Sequence, residues 1–263
     1  MLIFMKLGGS MITDKQVAES FRREATQQIA EEIARAVQTQ PDLKLLIGHG
    51  SGSFGHVTAK KYGTRQGVQT AEEWNGFTQV NRVAAKLNAL VSETLAEENL
   101  PILRVQPSAS ALSHDGHIVS METETIQRAL DHSLIPLVYG DVAFDAVRGG
   151  TIISTETIFF YLAGKLPVNR ILLLGEVDGV YDETHAVIPE IKPSTFHLYE
   201  KAIGGSSGTD VTGGMDTKVR DMLTLIEAIP RLQIHIFNGH QHGLLERALK
   251  GDHSFGTLLK ADD

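Results

Sequence analysis

A glycine-rich stretch at residues 48–56, with the sequence GHGSGSFGH, has the composition of an anion-binding loop. It follows an apolar run at residues 43–47 that predicts a buried strand, and its own residues are able to open a helix. Glycines let backbone N–H groups approach an anion closely, and a helix start adds the positive end of its dipole. His56 ends the stretch with a ring that can donate a hydrogen bond to a phosphate oxygen.

The glycines of this stretch do not follow either of the common nucleotide-binding patterns. No Lys follows them, as the GxxxxGK[ST] phosphate loop requires, and their spacing is not that of a dinucleotide-binding GxGxxG. Turn formation alone would also explain several glycines after a strand. An anion site at residues 48–56 therefore needs support from other parts of the chain.

A second candidate anion site lies near the amino terminus, where Lys6, Gly8-Gly9-Ser10 and Lys15 occur within ten residues. Lys6 interrupts an apolar run at residues 2–7 that predicts a strand. A lysine in a buried strand is costly unless its ammonium emerges at the strand's carboxyl end beside an anion. The alternative is a lysine that reaches water, from an edge strand for Lys6 and from a loop for Lys15.

Strands and helices are predicted to alternate along the chain and to carry these motifs. Apolar runs predict strands at 2–7, 43–47, 102–105, 134–142, 170–174, 233–237 and 256–259, and a hairpin at 144–153 split by Gly149-Gly150. Helical spacing predicts helices at 21–37, 71–98, 122–132, 155–166 and 244–250, and another that carries Lys218. The alternation indicates an α/β protein with a mostly parallel sheet covered on both faces.

The predicted helix at 71–98 has one continuous apolar face. Most of that face is expected to be core. Because the helix follows the glycine-rich stretch, part of the face is also a candidate lining for an apolar substrate tail, and the residues proposed for it are Phe77, Val80, Leu87 and Leu90.

Composition restricts the class of protein. The 263 residues carry a formal net charge of -8 and contain no cysteine. Nucleic acid is therefore not an expected partner, and disulfides, thiolate metal sites and thiol nucleophiles are excluded. No apolar run approaches the length of a membrane helix and no signal-peptide pattern is present, so the expectation is a cytoplasmic protein without a membrane partner.

Two glycine-rich loops with Lys6, Lys15, His56 and Lys218 would stabilise more negative charge than one phosphate ester carries. Phosphoryl transfer needs such an arrangement, because the protein mainly aligns donor and acceptor and neutralises charge on the moving group. A hydrolase would need a nucleophile with an adjacent base or a cluster of metal-binding side chains, and neither grouping is evident. The other histidines, His49 among them, lack metal-ligand spacing and are expected to be solvent or turn residues.

Six motifs follow one another in an order typical of one family. They are Lys6-x-Gly8-Gly9-Ser10 with Thr13-Asp14-Lys15, the loop from Gly50 to His56, Tyr139-Gly140-Asp141-Val142, Val177-Asp178-Gly179-Val180-Tyr181, Asp210-Val211-Thr212-Gly213-Gly214-Met215 with Lys218, and Asn238-Gly239. Together they resemble the amino-acid-kinase superfamily over nearly the whole chain. Within it, GSFGH ending in His56 looks like the isopentenyl phosphate kinases and the related fosfomycin kinase.

The resemblance implies an open αβα sandwich in one domain, 1–263, with an acceptor lobe at about 1–166 and an ATP lobe at about 167–263. Mg²⁺ would be carried by ATP without a protein metal site, and the chain would form a homodimer. For the acceptor phosphate it implies backbone donors at Gly50, Ser51 and Gly52, a hydrogen bond from His56, and Gly140 nearby. For the nucleotide it implies Lys6 at the transferring phosphoryl group and Lys15 near the γ-phosphate. The other residues that it implies on the nucleotide side are Gly8, Gly9, Ser10, Asp178, Gly213 and Lys218.

The chain departs from the family pattern at three places: Ser51 stands where many members have glycine, Gly175-Glu176 replaces a more usual Thr-Asp, and Ser154-Thr155-Glu156 replaces a more usual Ser-Gly-Asp. His56 favours an acceptor that already carries phosphate or phosphonate. The first expectation is therefore ATP-dependent phosphorylation of isopentenyl phosphate. Fosfomycin phosphorylation is the alternative within the fold, and a non-catalytic nucleotide sensor is the alternative outside enzymes.

Overall fold

An eight-stranded sheet forms the centre of the protein, in a computed structural model that describes residues 1–204 and 214–262. The strands are β1 (Leu2–Leu7), β2 (Lys44–His49), β3 (Ile102–Arg104), β4 (Leu112–His114), β5 (His117–Ser120), β6 (Ile135–Tyr139), β7 (Asp141–Asp145), β8 (Gly149–Ile153), β9 (Arg170–Gly175), β10 (Glu190–Ile191), β11 (Gln233–Asn238) and β12 (Thr257–Leu259). The helices are α1 (Gly9–Ile12), α2 (Arg23–Thr39), α3 (Gly52–Tyr62), α4 (Ala71–Glu97), α5 (Glu124–Asp131), α6 (Thr155–Ala163), α7 (Glu200–Gly204), α8 (Met215–Ala228) and α9 (Leu244–Leu249).

The strand order in this sheet is β10-β12-β11-β9-β1-β2-β6-β3. Neighbouring strands are parallel except β11 and β12, which are antiparallel. Parallel neighbours require crossover connections, and helices supply most of them. The expectation of an α/β fold with a mostly parallel sheet is confirmed.

The two faces of the sheet are covered by different helices. Alternate residues of β1 point to opposite faces, so Phe4 packs with α5, α6 and α8, whereas Met5 packs with α2, α4 and α9. Both residues are fully buried. Strands buried on both faces explain why the predicted strands read as continuous apolar runs. The result is an αβα sandwich.

The prediction of one strand at residues 134–142 is wrong, because the chain changes sheets at Gly140. Strand β6 ends at Tyr139 in the large sheet, and β7 begins at Asp141 in a second sheet of order β5-β4-β7-β8. The Asp141 carboxylate is buried and accepts hydrogen bonds from the Ser108 backbone at 3.1 Å and from Asn81 at 3.0 Å. Both strands are buried, so the apolar pattern continues across the break.

The predicted hairpin at 144–153 is present as β7 and β8, but its turn precedes the two glycines. The Asp145 carboxylate accepts hydrogen bonds from the Val147 and Arg148 amides at 2.9 and 2.8 Å, which closes the turn. Gly149 and Gly150 begin β8 instead. Gly149 has a φ of +76°, a conformation that favours glycine at the strand entry.

Candidate active site

A cavity of about 1000 Å³ lies at the carboxyl ends of four neighbouring strands, β9, β1, β2 and β6. Gly8, Gly50, Gly140 and Gly175 stand at those ends. Ligands of open α/β sheets bind in this position. The predicted site residues that line the cavity are Lys6, Gly8, Gly9, Ser10, Lys15, Gly50, Ser51, Gly52, His56, Val80, Gly140 and Lys218.

The two glycine-rich loops pack directly against each other at the bottom of this cavity. A Cβ added to Gly9 would lie 2.6 Å from the Gly52 nitrogen, so both backbones need glycine here. The buried Thr13 side chain joins the loops: its hydroxyl donates to the Gly9 carbonyl at 2.7 Å and accepts from the Ser53 amide at 3.0 Å. The loops that were predicted separately therefore form one unit.

Lys6 emerges at the end of β1 and forms an ion pair with Glu156, at the start of α6. The side chains of Lys6 and Glu156 are only 13% and 16% exposed. Burial favours the protonated carboxyl, but the charges of Lys6 and Lys218 lower the pKa of Glu156 to about 2. Lys6 from β1 and Lys218 from α8 thus both act electrostatically on one carboxylate, and both line the same cavity.

His56 lies on the first half of α3 and is half-buried. The helix begins at Gly52, inside the glycine-rich stretch, so the positive end of its dipole lies at the cavity. Ser51, at the N-cap, makes no side-chain capping hydrogen bond. His56 and Lys6 line the same cavity. A site that holds two phosphate groups facing each other requires this arrangement.

His49 was expected to be a solvent or turn residue, and that prediction is wrong. Its ring is fully buried beneath the glycine-rich loop, stacks on Tyr139 at 5.6 Å, and contacts the Gly50 carbonyl and the Asn88 amide at 3.0 and 3.1 Å. Burial lowers the pKa of His49 to about 4, so the ring is neutral at pH 7. The loop conformation therefore rests on an uncharged histidine.

Three residues predicted to line an apolar substrate tail lie elsewhere. Leu87 is fully buried in the core beneath the sheet, and Leu90 packs against the same core. Phe77 packs between Trp74 and Phe144, at ring distances of 5.2 and 5.5 Å, and does not line the cavity. Helical periodicity identifies the buried face of α4, but not the short part of it that borders a cavity.

Val80 is the residue of this predicted group that does line the cavity. It is accompanied by Ala84 from α4, Ala59 from α3 and Ile152 from β8. These small and medium apolar side chains make a wall beside His56.

Among the predicted nucleotide residues, Lys15 is exposed at the cavity edge, on the segment between α1 and α2. Asp178 does not line the cavity. Its carboxylate accepts hydrogen bonds from Asn238 and Gln241 at 2.9 and 2.8 Å, which joins the loops after β9 and β11. Gly213 lies outside the described residues.

Several cavity residues were not singled out from the sequence. Glu156 was noted only as part of a motif, and Lys60 and Arg65 had no motif to mark them. The lysine at position 6 implied a buried anionic partner, and this was the signal that could have identified Glu156.

Residues 1–204 and 214–262 lack two kinds of structural feature. No group of three or more His, Asp or Glu side chains in that part of the chain could hold a metal ion. None of its helices is long and apolar enough to span a bilayer.

Comparison with known proteins places the chain in a family. A model of the amino acid kinase family matches residues 1–238. Curated isopentenyl phosphate kinases from Methanothermobacter thermautotrophicus and Methanocaldococcus jannaschii are 34% and 32% identical, over 98% and 96% of both chains. A solved isopentenyl phosphate kinase structure superposes with a TM-score of 0.82 at 30% identity, covering 98% of this chain and 100% of that one. The chain therefore belongs to the amino acid kinase family and, within it, to the isopentenyl phosphate kinases.

Proposed function

We propose that this protein transfers the γ-phosphoryl group of ATP to isopentenyl phosphate and forms isopentenyl diphosphate. The observation that carries the proposal is the convergence of Lys6, His56 and both glycine-rich loops on one cavity. The names of the full-length relatives support the acceptor. The reaction forms a bond between an acceptor phosphate oxygen and the γ-phosphorus and breaks the bond to the leaving ADP oxygen.

The acceptor phosphate binds at the start of α3. Backbone amides of Ser51 and Gly52 and the ring of His56 donate hydrogen bonds to it, and the helix dipole adds to the attraction. The amide of Gly50, which was expected from the sequence as a further donor, instead donates to the Leu7 carbonyl at 3.0 Å, so Gly50 lines the site without donating to the phosphate. The branched tail packs against the wall of Val80, Ala84, Ala59 and Ile152. Gly140 borders the same part of the cavity.

The donor phosphates bind on the other side, against Gly8, Gly9 and Ser10. Lys6 and Lys218 neutralise the charge on the moving phosphoryl group, and Glu156 keeps the two ammonium groups close together. Lys15 stands at the edge of the cavity, where it can reach the γ-phosphate. Mg²⁺ enters bound to the nucleotide and supplies further charge neutralisation.

We assign the acceptor lobe to residues 1–166 and the ATP lobe to 167–263. Asp178 and Gly213 belong to the nucleotide side, Asp178 through its hydrogen bonds between two loops. We also propose a homodimer in the cytoplasm, by resemblance to the family; a chain without cysteine is suited to a reducing compartment.

A coupled assay of ATP consumption tests the function across isopentenyl, dimethylallyl and geranyl phosphates, fosfomycin and several amino acids. Isopentenyl phosphate should be the best acceptor. His56→Asn should lower kcat/KM for it by about 100-fold, because a hydrogen bond to the reacting phosphate is lost. ATP binding, measured by calorimetry, should not change. ATP binding without turnover of any acceptor would instead indicate a nucleotide sensor.

A further inference from the structure

The side of α3 that faces the cavity continues beyond His56. The helix contributes Gly52, Gly55, His56, Ala59 and Lys60 to the lining. Their spacing of three, one, three and one residues marks a single helical face, with Lys60 one turn after His56. The acceptor side of the cavity therefore contains a lysine on the same rigid element as His56.

The geometry of a helix brings the Lys60 ammonium towards His56. Four residues advance a helix by about 6 Å, and side chains lean back towards the amino terminus. The side chain of Lys60 is about as long as this rise, so its ammonium can reach the anion that His56 binds. Among residues 1–204 and 214–262, no acidic side chain forms an ion pair with Lys60.

The positive charge of Lys60 suits this position for binding a phosphate group. A phosphate monoester carries nearly two negative charges at pH 7. His56 supplies a hydrogen bond, and the chain as a whole is acidic, with a net charge of -8. A local full positive charge is needed to hold a dianion next to the phosphates of ATP.

We propose that Lys60 is a further acceptor-binding residue, which contacts the phosphate dianion together with His56 and selects for acceptors with that charge. This inference rests on the proposed function. Lys60 does not take part in the transfer itself, so it should affect acceptor affinity more than the rate of the chemical step.

The neighbouring Lys61 provides a matched control. Both lysines lie in the last turn of α3 and interact equally with the helix dipole. The Lys61 ammonium instead lies 4.8 Å from the centre of the Tyr62 ring, and Lys61 does not line the cavity. A role of Lys60 limited to helix stability would make the two substitutions equivalent.

The experiment compares Lys60→Met, Lys60→Arg and Lys61→Met in the full chain. For each we measure kcat and KM for isopentenyl phosphate and for ATP, and the Kd of isopentenyl phosphate without nucleotide by calorimetry. Lys60→Met should raise KM and Kd for isopentenyl phosphate by about tenfold, with less effect at high salt, while kcat and KM for ATP change little. Lys60→Arg should restore most of the affinity, and Lys61→Met should resemble the wild type.

Equal affinity of Lys60→Met and the wild type for isopentenyl phosphate overturns the inference and leaves the proposed function intact. If the wild type binds isopentenyl phosphate without phosphorylating it, the proposed function fails, and the Kd values alone decide the role of Lys60. If the wild type does not bind isopentenyl phosphate, both fail. Unfolding curves of the variants should coincide, because Lys60 and Lys61 are exposed.

Discussion

Substitution of Gly52 by alanine tests whether close packing of the two glycine-rich loops is required. Gly52 has a φ of +48°, and an added Cβ would lie 2.0 Å from the Thr13 hydroxyl oxygen and 2.8 Å from the Gly9 carbonyl oxygen. Gly63, at the carboxyl end of α3, has a similar φ of +61°, but the nearest atom to its Cβ would be the Gln66 side-chain oxygen at 3.6 Å. Gly63→Ala is therefore a control with the same backbone cost and no clash.

The free-energy cost of the left-handed backbone conformation and that of the steric clash can be estimated separately. A left-handed conformation costs alanine about 1–2 kcal/mol relative to glycine, partly offset by the lower entropy of the unfolded chain. Gly63→Ala should therefore lower the free energy of unfolding by about 1 kcal/mol. Gly52→Ala adds a displacement of packed backbone, for which overpacked sites cost about 1–3 kcal/mol more. The total for Gly52→Ala is about 2–4 kcal/mol.

Urea unfolding followed by circular dichroism gives both free energies, and the coupled assay gives the activities. Gly52→Ala should also lose most activity with isopentenyl phosphate, because the loop that presents amides to the acceptor must move away from Gly9. Gly63→Ala should keep its activity. Equal destabilisation by the two substitutions, or full activity of Gly52→Ala, would show that the loops do not need this close approach.

Two further substitutions test the residues that connect the site. Thr13→Val removes the hydroxyl that bonds both loops and leaves the buried Ser53 amide unpaired, whereas the Gly9 carbonyl still accepts from the Thr13 amide; it should therefore destabilise the protein by about 1–3 kcal/mol in urea unfolding. Thr13→Ser keeps the hydroxyl and should recover most of that loss; equal losses would exclude the hydrogen bonds as the cause. Glu156→Gln should lower kcat, because the Lys6 ammonium loses its partner. Since the pKa of Glu156 is lowered from 4.5 to about 2 in the folded state, its contribution is present above pH 4.5 and is lost as the pH falls towards 2. Acid unfolding curves of the wild type and Glu156→Gln should therefore differ in that range, and parallel curves would contradict the assignment.

Local patterns in the sequence were sufficient for most elements. Strands β1, β2 and β9 are short apolar runs, and α4 has both a continuous apolar face and a capping box at Thr70 and Glu73. These signals depend on neighbours within a few residues along the chain, so they are readable without the fold. The same holds for the two glycine-rich loops, because an apolar strand followed by several glycines is itself a local feature.

Contacts between residues far apart in the sequence could not be predicted from local patterns. The partner of Lys6 is Glu156, 150 positions away, and Thr13 meets Ser53 across 40 positions. The burial of His49 and the change of sheets at Gly140 also depend on what packs around them, since neither alters the local apolar pattern.

Amino-acid order alone was thus enough to predict the α/β architecture, the phosphate chemistry and a set of site residues most of which line the cavity. The packing of distant segments determined which carboxylate holds the lysines, which apolar residues border the acceptor, and how closely the loops approach. The physical reason is that backbone preferences and periodicity act over a few residues, whereas a site is assembled from side chains that only the folded core brings together.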